Sequence, residues 1–281
     1  MIRIAIPNKG RLADDTRELF EDAGLGFRAQ SDRALVATMG PEYEAIFVRS
    51  QDIPEFVADG AADVGVTGWD LVCESERVLH QRLDLGFGRC RVVMAAKDDS
   101  GVLSVEDLAP GARVATVFPR MTRRFFERIG RTIELVPVSG ATEIAPHLGI
   151  ADVIVDLVST GSTLRVNGLR EVTTILDSSA RLIAAPNAAP GVTALVARLE
   201  SVIRARGQRY LMANVPRVAL DQIKRVVPGL TGPTVVDILN EGRHVAVHAV
   251  VPVAEVDRTI VDLKALGAEG ILVTRIERLT P

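Results

Sequence analysis

The chain has 281 residues, of which 47% are hydrophobic, and a formal net charge of −3. This composition excludes a disordered chain, and it gives no sign of nucleic-acid binding because no long basic run interleaves with aromatic residues. No apolar run approaches the ~20 residues that a membrane span needs, and the N-terminus shows no cleavable signal pattern, so we expect a cytoplasmic protein.

Strands alternate with helices over about the first two hundred residues, which predicts a mostly parallel sheet covered by helices. The segment 2–6 predicts the first strand, and the segment 12–23 predicts the helix after it. Lys9, Gly10 and Arg11 occupy the turn between them, where the carboxyl end of a strand faces the ligand crevice of an open α/β sheet. We expect these residues to bind polyphosphate; the alternative is a solvated loop.

Two further predicted strands, 45–49 and 63–68, end in polar residues. The guanidinium of Arg49, at the end of the strand 45–49, is placed to bind phosphate bidentately; the alternative is a structural salt bridge. The loop after the second strand is expected to line the cleft, and there the Trp69 ring either stacks on a base or packs beside a helix, with packing favoured. The nucleotide-binding candidates at these two strand ends are Arg49, Thr67, Gly68 and Asp70.

The run IVDLVSTGSTL, from Ile154 to Leu164, combines an apolar strand, one acid and a hydroxyl-rich turn. Its branched residues predict a strand buried on both faces. The turn offers hydroxyls and backbone N–H groups to one anion, and a helix that starts at Ser162 or Thr163 adds its positive end. A carboxylate at Asp156 is unfavourable there unless it faces a sugar hydroxyl or a cation, which predicts a ligand with phosphate, ribose and Mg²⁺. The alternative is a buried strand followed by an ordinary capped helix.

The regular alternation of predicted strands and helices ends near Gly207. The elements predicted from residue 210 onward are strand, helix, two strands, helix and strand, which is the ferredoxin-like βαββαβ arrangement of small-molecule-sensing domains. In the second of these helices Val256, Ile260 and Leu263 form an apolar stripe, which indicates packing.

Five segments carry a family resemblance. The longest is ATEIAPHLGIADVIVDLVSTGSTL, and the others are IPNKGRL (6–12), DVGVTGWDL (63–71), LDLGFGRCR (83–91) and PGLTGPTV (228–235). Together they resemble ATP phosphoribosyltransferase, the first enzyme of histidine biosynthesis, and the resemblance covers the whole chain.

This resemblance implies an α/β chain with two periplasmic-binding-protein-like catalytic lobes and a ferredoxin-like regulatory domain. The implied boundaries are 1–88 with 178–207 for lobe I, 89–177 for the inserted lobe II, and 208–281 for the regulatory domain. The implied reaction joins N1 of ATP to C1 of phosphoribosyl pyrophosphate with inversion and loss of pyrophosphate. Such a reaction needs Mg²⁺ and cationic groups at the leaving group more than a protein nucleophile.

The resemblance also implies residue roles. Asp156 and Glu143 would contact the ribose hydroxyls or Mg²⁺, and these two acids join Lys9 and Arg11 as the expected catalytic residues. The residues implied to bind phosphoribosyl pyrophosphate are Asp156, Ser159, Thr160, Gly161, Ser162 and Thr163.

The family members that this chain resembles in carrying the C-terminal domain look like hexamers that histidine inhibits. The resemblance therefore implies ATP, phosphoribosyl pyrophosphate and histidine as ligands, and a homo-oligomer between dimer and hexamer. Asn214 stands where some relatives have an aspartate that pairs with the ammonium of histidine, and Gly232 replaces a serine, which puts the affinity for histidine in question. The implied effector residues are Asn214, Leu230, Gly232, Thr234 and Gly270.

Two other functions fit part of the pattern. Two lobes of this kind also form ligand-binding modules without catalysis, but such modules do not explain Asp156 beside the hydroxyl turn. A phosphoribosyltransferase for another base would explain the turn, but not the PGLTGPT segment.

Overall fold

A computed structural model describes residues 1–27, 34–239 and 242–280 of the chain. Its strands are β1 (Ile2–Pro7), β2 (Val36–Thr38), β3 (Tyr43–Val48), β4 (Val64–Gly68), β5 (His80–Asp84), β6 (Cys90–Lys97), β7 (Ala112–Thr116), β8 (Ile133–Pro137), β9 (Val153–Val158), β10 (Leu169–Ser178), β11 (Ala180–Ala184), β12 (Gln208–Pro216), β13 (Thr234–Asp237), β14 (His244–Pro252) and β15 (Glu269–Arg275). Its α-helices are α1 (Ala13–Asp22), α2 (Ile53–Ala58), α3 (Trp69–Ser75), α4 (Pro119–Arg128), α5 (Ser162–Val166), α6 (Gly191–Arg206), α7 (Leu220–Val226) and α8 (Val256–Ala265). Within these ranges no helix has the length and apolar character that crossing a membrane requires.

The first sheet has the strand order β2-β3-β1-β4-β11-β5. β1 pairs in parallel with β3 and with β4, so the carboxyl ends of these three strands meet at one edge. Ile53 and Val57 of α2 pack on this sheet together with Ala5. Close packing explains Gly65 in β4, because a Cβ atom there would lie 2.4 Å from Ile53 Cγ2. We call this sheet and the helices on it the first lobe.

The second sheet has the order β10-β6-β9-β7-β8 and, with its helices, forms the second lobe. β9 lies inside the sheet, between β6 and β7. Val153 and Val155 join the core on one face, whereas Ile154 and Val158 join the core on the other. The predicted burial of this strand on both faces is therefore confirmed.

The expectation of mostly parallel sheets is confirmed by strand direction, although both sheets are mixed. In the first sheet β2 and β11 run against the other four strands. In the second sheet β6 alone among the described strands runs against the other four. In the first sheet β11 pairs antiparallel with β4 and β5, and in the second β6 pairs antiparallel with β9 and β10. The chain passes from one sheet to the other between β5 and β6 and returns between β10 and β11. Two of the opposing strands, β6 and β11, are the first strands after these two crossings, and the alternation of elements could not reveal their direction.

The third sheet confirms the ferredoxin-like prediction. Its order, β13-β14-β12-β15, places the first and third strands of the βαββαβ unit at the centre. Its core includes Leu211, Val247 and Leu263. In α8 the buried polar residue is Thr259, so the stripe that faces the core differs from the predicted one at Ile260, which is half-buried.

The chain divides into two compact units. One comprises Met1–Glu21 with Leu25–Val196, and the other comprises Asp22–Gly24 with Ala197–Pro281. The boundary between the units therefore falls inside α6, whereas the predicted domain boundary follows α6 at residue 207. The predicted domain boundaries stay predictions.

Candidate active site

The hydroxyl-rich turn after β9 forms as the sequence predicted, and we call residues 159–163 the phosphate cradle. Gly161 has a positive φ of 74°, which turns the chain from the strand into α5. The hydroxyl oxygens of Thr160 and Ser162 lie 2.9 Å apart, and the Ser162 amide donates to Thr160 Oγ1 at 3.4 Å. Because α5 has only 5 residues, the predicted anion binding here would depend on the hydroxyls and turn amides more than on a helix dipole.

The cradle shares a cavity of about 170 Å³ with the two predicted acids. Glu143 lies in a short helical turn and Asp156 lies on β9, and both side chains are half-buried. The fold thus joins the groups expected to contact ribose or metal with those expected to bind phosphate. Ser162 reaches this group through its contact with Thr160. The residues that line the cavity are Glu143, Asp156, Leu157, Val158, Ser159, Thr160, Gly161, Thr163 and Leu164.

The pKa of Asp156 is raised, chiefly because burial disfavours its charged form, and the negative charge of Glu143 acts in the same direction. The Leu157 amide, which donates to Asp156 Oδ1 at 2.7 Å, and the nearby Thr142 hydroxyl act against this shift. Thr142 Oγ1 is buried and has no hydrogen-bond partner of good geometry among the residues that the structure describes. A ligand hydroxyl or cation at Asp156 would stabilise the carboxylate that the protein alone disfavours.

The raised pKa of Asp156 predicts how binding of ribose 5-phosphate depends on pH. Its affinity should fall on acidification from a higher pH than an ordinary aspartate, with a pKa of about 3.9, would give. Glu143→Gln should move this fall to lower pH, because it removes the negative charge that helps to raise the pKa of Asp156. Calorimetric titrations over a pH series measure both curves, and titration of the ligand's phosphate is common to the two proteins. Superimposable curves would contradict the coupling between the two acids.

The turn that contains Lys9, Gly10 and Arg11 joins β1 to α1, and all three residues are exposed. Arg11 Nη1 donates to the carbonyl of Gly88 at 2.9 Å, which fixes the turn against the segment that enters β6. Gly88 is required in this place, since a Cβ atom would lie 2.3 Å from Leu12 Cδ2. Lys9 has no carboxylate within ion-pair distance in the part of the chain that the structure describes.

Arg49 lies beside this turn at the same edge of the first sheet. The register of β1 and β3 places Pro7 opposite Val48, and the Asn8 amide donates to the Val48 carbonyl at 2.9 Å. Arg49 is exposed, and the salt bridge considered as its alternative does not form with any described residue. Its guanidinium therefore joins Lys9 as an available cation at this edge.

No loop separates β4 from α3. The three residues predicted to bind nucleotide there lie at the end of the strand and the beginning of the helix, where all three are buried. Thr67 Oγ1 donates to the Ser50 carbonyl at 2.8 Å, and Gly68 is buried. The Asp70 side chain is buried and accepts a hydrogen bond of 2.5 Å from the Ser178 hydroxyl. Nucleotide binding by these three residues stays a prediction, although the polar atoms of Thr67 and Asp70 already have protein partners.

Trp69, the first residue of α3, packs against the core of the first lobe, as do Ile46, Val48 and Leu79. The structure thus supports packing of this ring rather than stacking on a base. Trp69 is the chain's one tryptophan, so its fluorescence reports on the beginning of α3.

A second cavity, of about 430 Å³, lies where the chain crosses between the lobes. Arg181 of β11 is bound to Asp84 there. Burial alone would raise the pKa of Asp84, but the Gly86 amide, Arg181 and the Ser179 hydroxyl together lower it. The sequence alone did not single out Arg181, whose only signal was its place just after the serine pair Ser178-Ser179. The residues that line this cavity are Asp84, Arg89, Cys90, Arg91, Ser159, Asp177, Ser178, Ser179 and Arg181.

The predicted effector residues form two groups in the third sheet. Asn214 lies opposite Glu269, and a Cβ atom at the adjacent Gly270 would lie 3.4 Å from Asn214 Nδ2, so Asn214 and Gly270 are neighbours. The other group precedes or begins β13, which β14 separates from β12. This second group consists of Leu230, Gly232 and Thr234.

The donor set for Mg²⁺ is small. No group of three or more His, Cys, Asp or Glu side chains suited to a metal occurs within residues 1–27, 34–239 and 242–280. Glu143 and Asp156 provide two carboxylates in one cavity, which suits Mg²⁺ because this ion commonly uses one or two carboxylates together with substrate phosphates and water.

Sequence profiles match both parts of the chain. The profile described as ATP phosphoribosyltransferase matches residues 49–204, and the profile described as the HisG C-terminal domain matches residues 205–278. An ATP phosphoribosyltransferase of Gemmatimonas aurantiaca is 67% identical over all of both chains, and that of Natronomonas pharaonis is 51% identical over all of both chains.

A solved structure agrees with these matches. The ATP phosphoribosyl transferase (HisG:HisZ) complex from Thermotoga maritima contains a chain that is similar with a TM-score of 0.65 and 29% sequence identity. The alignment covers 73% of the present chain and 99% of that chain. The likeness agrees with the two periplasmic-binding-protein-like lobes expected from the sequence.

Proposed function

The chain belongs to the ATP phosphoribosyltransferase family, which performs the first step of histidine biosynthesis, and from this membership we propose how its residues carry out the reaction. The central observation is the cavity in which Glu143 and Asp156 meet the phosphate cradle. That cavity combines groups for a ribose with groups for its phosphate. A ligand-binding module without catalysis is the weaker alternative, because near relatives over the full chain length are named as transferases.

The cradle holds the 5′-phosphate of phosphoribosyl pyrophosphate in this proposal. Its exposed hydroxyls at Thr160 and Thr163 donate to phosphate oxygens, and the amides of the Gly161 turn add further donors. Asp156 accepts hydrogen bonds from the ribose hydroxyls, which orients C1 of the sugar toward the cleft. Glu143 supports the same group of contacts from the other side of the cavity.

The cations at the edge of the first sheet serve the leaving group. Lys9 and Arg49 are exposed and have no ionic partner among the described residues, so they are available to the pyrophosphate or to the triphosphate of ATP. As C1 acquires positive character and pyrophosphate departs, these cations stabilise the negative charge that develops on it. N1 of ATP attacks C1 from the opposite face, which gives inversion, and no protein nucleophile is required.

Mg²⁺ would be held by Glu143 and Asp156 together with substrate oxygens, and it would neutralise charge on the departing pyrophosphate. The protein's own part is to place the two carboxylates in one half-buried cavity. The raised pKa of Asp156 agrees with a site in which a bound cation or ligand hydroxyl stabilises the carboxylate.

The test of the proposed reaction uses the purified full-length chain with ATP, phosphoribosyl pyrophosphate and Mg²⁺. We expect the absorbance of phosphoribosyl-ATP to rise in equal amount to the pyrophosphate released, and chelation of Mg²⁺ to stop both. Guanosine and cytidine triphosphates are the controls for the base. Release of pyrophosphate that requires a base other than adenine, or no turnover by folded protein, would contradict the proposal.

Regulation by histidine is also proposed, through the ferredoxin-like domain. This domain has its own core and contains none of the predicted catalytic residues. Its two groups of predicted effector residues lie on either side of β14, so we propose that a neighbouring copy completes the site in a homo-oligomer. The cytoplasmic location expected from the sequence stays a prediction.

Histidine should inhibit without competing with either substrate, and Asn214→Asp should tighten its binding about ten- to a hundredfold. An aspartate at this place adds a charge-assisted bond to the ammonium of histidine, which is worth about 1.5–3 kcal/mol. Inhibition kinetics and calorimetry measure the two effects. Asn167→Asp in the second lobe is the control and should leave histidine binding unchanged. Competitive inhibition against ATP would place the effector elsewhere.

A further inference from the structure

Helix α3 is built into both catalytic lobes. It follows β4 of the first sheet, and Val72 packs in the core of the first lobe. Leu71 and Cys73 instead pack against the core of the second lobe. A movement of one lobe relative to the other therefore has to change the packing of this helix on at least one side.

The beginning of α3 is bound to the segment through which the chain returns to the first lobe. The Trp69 amide donates to the Ser179 carbonyl at 3.0 Å, and the Asp70 amide donates to Ser178 Oγ at 3.0 Å. The same Ser178 hydroxyl donates to Asp70 Oδ1 at 2.5 Å. These bonds hold the first turn of α3 at the crossing between the two sheets.

The end of α3 caps helix α4 of the second lobe. Glu74 Oε1 accepts the Arg120 amide at 3.0 Å, and Glu74 Oε2 accepts the Met121 amide at 2.9 Å. α4 begins at Pro119, which has no N–H, and Phe118 before it provides no side-chain cap. Helix ends need partners for their free amides, so the carboxylate of Glu74 does for α4 what a local capping residue does elsewhere.

The capping is reciprocal. Arg120 Nη1 donates to the Ser75 carbonyl at 3.2 Å, and Arg124 donates to the Cys73 carbonyl, both at the C-terminal end of α3. Cations are favourable at that end of a helix, as the carboxylate is at the beginning of α4. Among the described residues, the nearby Glu76 forms only long ion pairs on the exposed side, at 3.9 Å with Arg120 and 3.6 Å with Arg124, and no hydrogen bond to the amides of α4. We call this set of contacts the helix junction.

We propose that the helix junction fixes the spacing of the two lobes, and that Glu74 is a positioning residue for the reaction. The inference rests on the proposed function, in which substrates contact Lys9 and Arg49 in the first lobe and the cradle in the second. When only a fraction of molecules has the competent spacing, the apparent dissociation constant of a bridging ligand equals the intrinsic constant divided by that fraction, so it rises as the fraction falls. A ligand held by one lobe alone does not depend on the spacing.

The test compares two ligands on Glu74→Ala, with Glu76→Ala as the matched control. Phosphoribosyl-ATP contacts both lobes in the proposed function, and ribose 5-phosphate contacts the cradle alone. For Glu74→Ala we expect the dissociation constant of phosphoribosyl-ATP to rise about tenfold or more while that of ribose 5-phosphate stays within about twofold. Glu76→Ala should leave both constants near those of the wild type. The change in Trp69 fluorescence on binding phosphoribosyl-ATP should shrink in Glu74→Ala and persist in Glu76→Ala.

Glu74→Gln is measured in parallel, because it keeps one acceptor oxygen and is the milder change if Glu74→Ala does not fold. This variant should raise the dissociation constant of phosphoribosyl-ATP by an intermediate factor, again without changing that of ribose 5-phosphate. An equal loss of affinity for the two ligands would show a structural defect and overturn the positioning role. Unchanged affinity for both ligands would overturn it as well. A wild-type chain that binds neither ligand would instead contradict the proposed function.

Discussion

Replacing Asp156 with asparagine should lower kcat by about 10²–10³-fold, the range seen when one preorganised electrostatic contact to a transition state is removed. The substitution keeps the size of the side chain but removes the negative charge that, in the proposed function, faces the ribose and Mg²⁺. Steady-state kinetics with ATP and phosphoribosyl pyrophosphate measure the loss. Asp152→Asn is the matched control, because Asp152 is exposed and pairs with Arg113 outside the cavity, and it should retain nearly full activity.

The same substitution should not destabilise the fold at neutral pH. Burial raises the pKa of Asp156 in the folded protein, so ionised Asp156 opposes folding above that pKa. Asparagine removes this cost, and the difference between the two proteins should disappear at a pH below the ordinary pKa of aspartate. Urea unfolding at two pH values measures the difference. A large loss of stability with the loss of activity would show that Asp156 acts on the fold instead.

Replacing Thr160 or Thr163 with valine should weaken the binding of phosphoribosyl pyrophosphate about ten- to a hundredfold. Each substitution exchanges a hydroxyl for a methyl group of similar size, and a hydrogen bond to a charged group is worth about 1.5–3 kcal/mol. Both residues are exposed, so the free energy of unfolding should change little. Thr160→Val should have the larger effect, because it also removes the contact with the Ser162 hydroxyl.

Calorimetric titration with phosphoribosyl pyrophosphate measures both affinities. Thr132→Val serves as the control, since Thr132 is exposed in the second lobe and lies outside the cavity. Unchanged affinity in both cradle variants would refute the role of the turn in phosphate binding.

The sequence predicted the cradle well because all its parts are contiguous. A buried strand, a glycine that permits a positive φ and several hydroxyls follow one another from Ile154 to Thr163, so local pattern and fold agree. The ferredoxin-like domain was predictable for a similar reason, since its alternating strands have one buried and one open face. Neither case required knowledge of distant contacts.

The contacts that the sequence could not reveal join residues far apart in the chain. Asp70 suggested a nucleotide contact, yet its carboxylate is bound to Ser178, 108 positions later. Glu74 gave no signal, because the helix that it caps lies in the other lobe. β10 also escaped prediction, since this edge strand carries many polar residues and has two irregularities in its pairing with β6. The hydrophobic pattern of a sequence indicates local burial, whereas these features depend on which elements the fold brings together.

The position of β11 has a consequence for the order of folding. Among the described strands of the first sheet, β11 is the one partner of β5, and β11 follows all five strands of the second sheet in the chain. β5 therefore has no partner strand during synthesis until the chain has been made beyond residue 184. The second sheet, by contrast, is complete by Ser178, and its first and last strands are neighbours. Since long-range pairing is slow, the inserted lobe should mature on the ribosome before the lobe into which it is inserted.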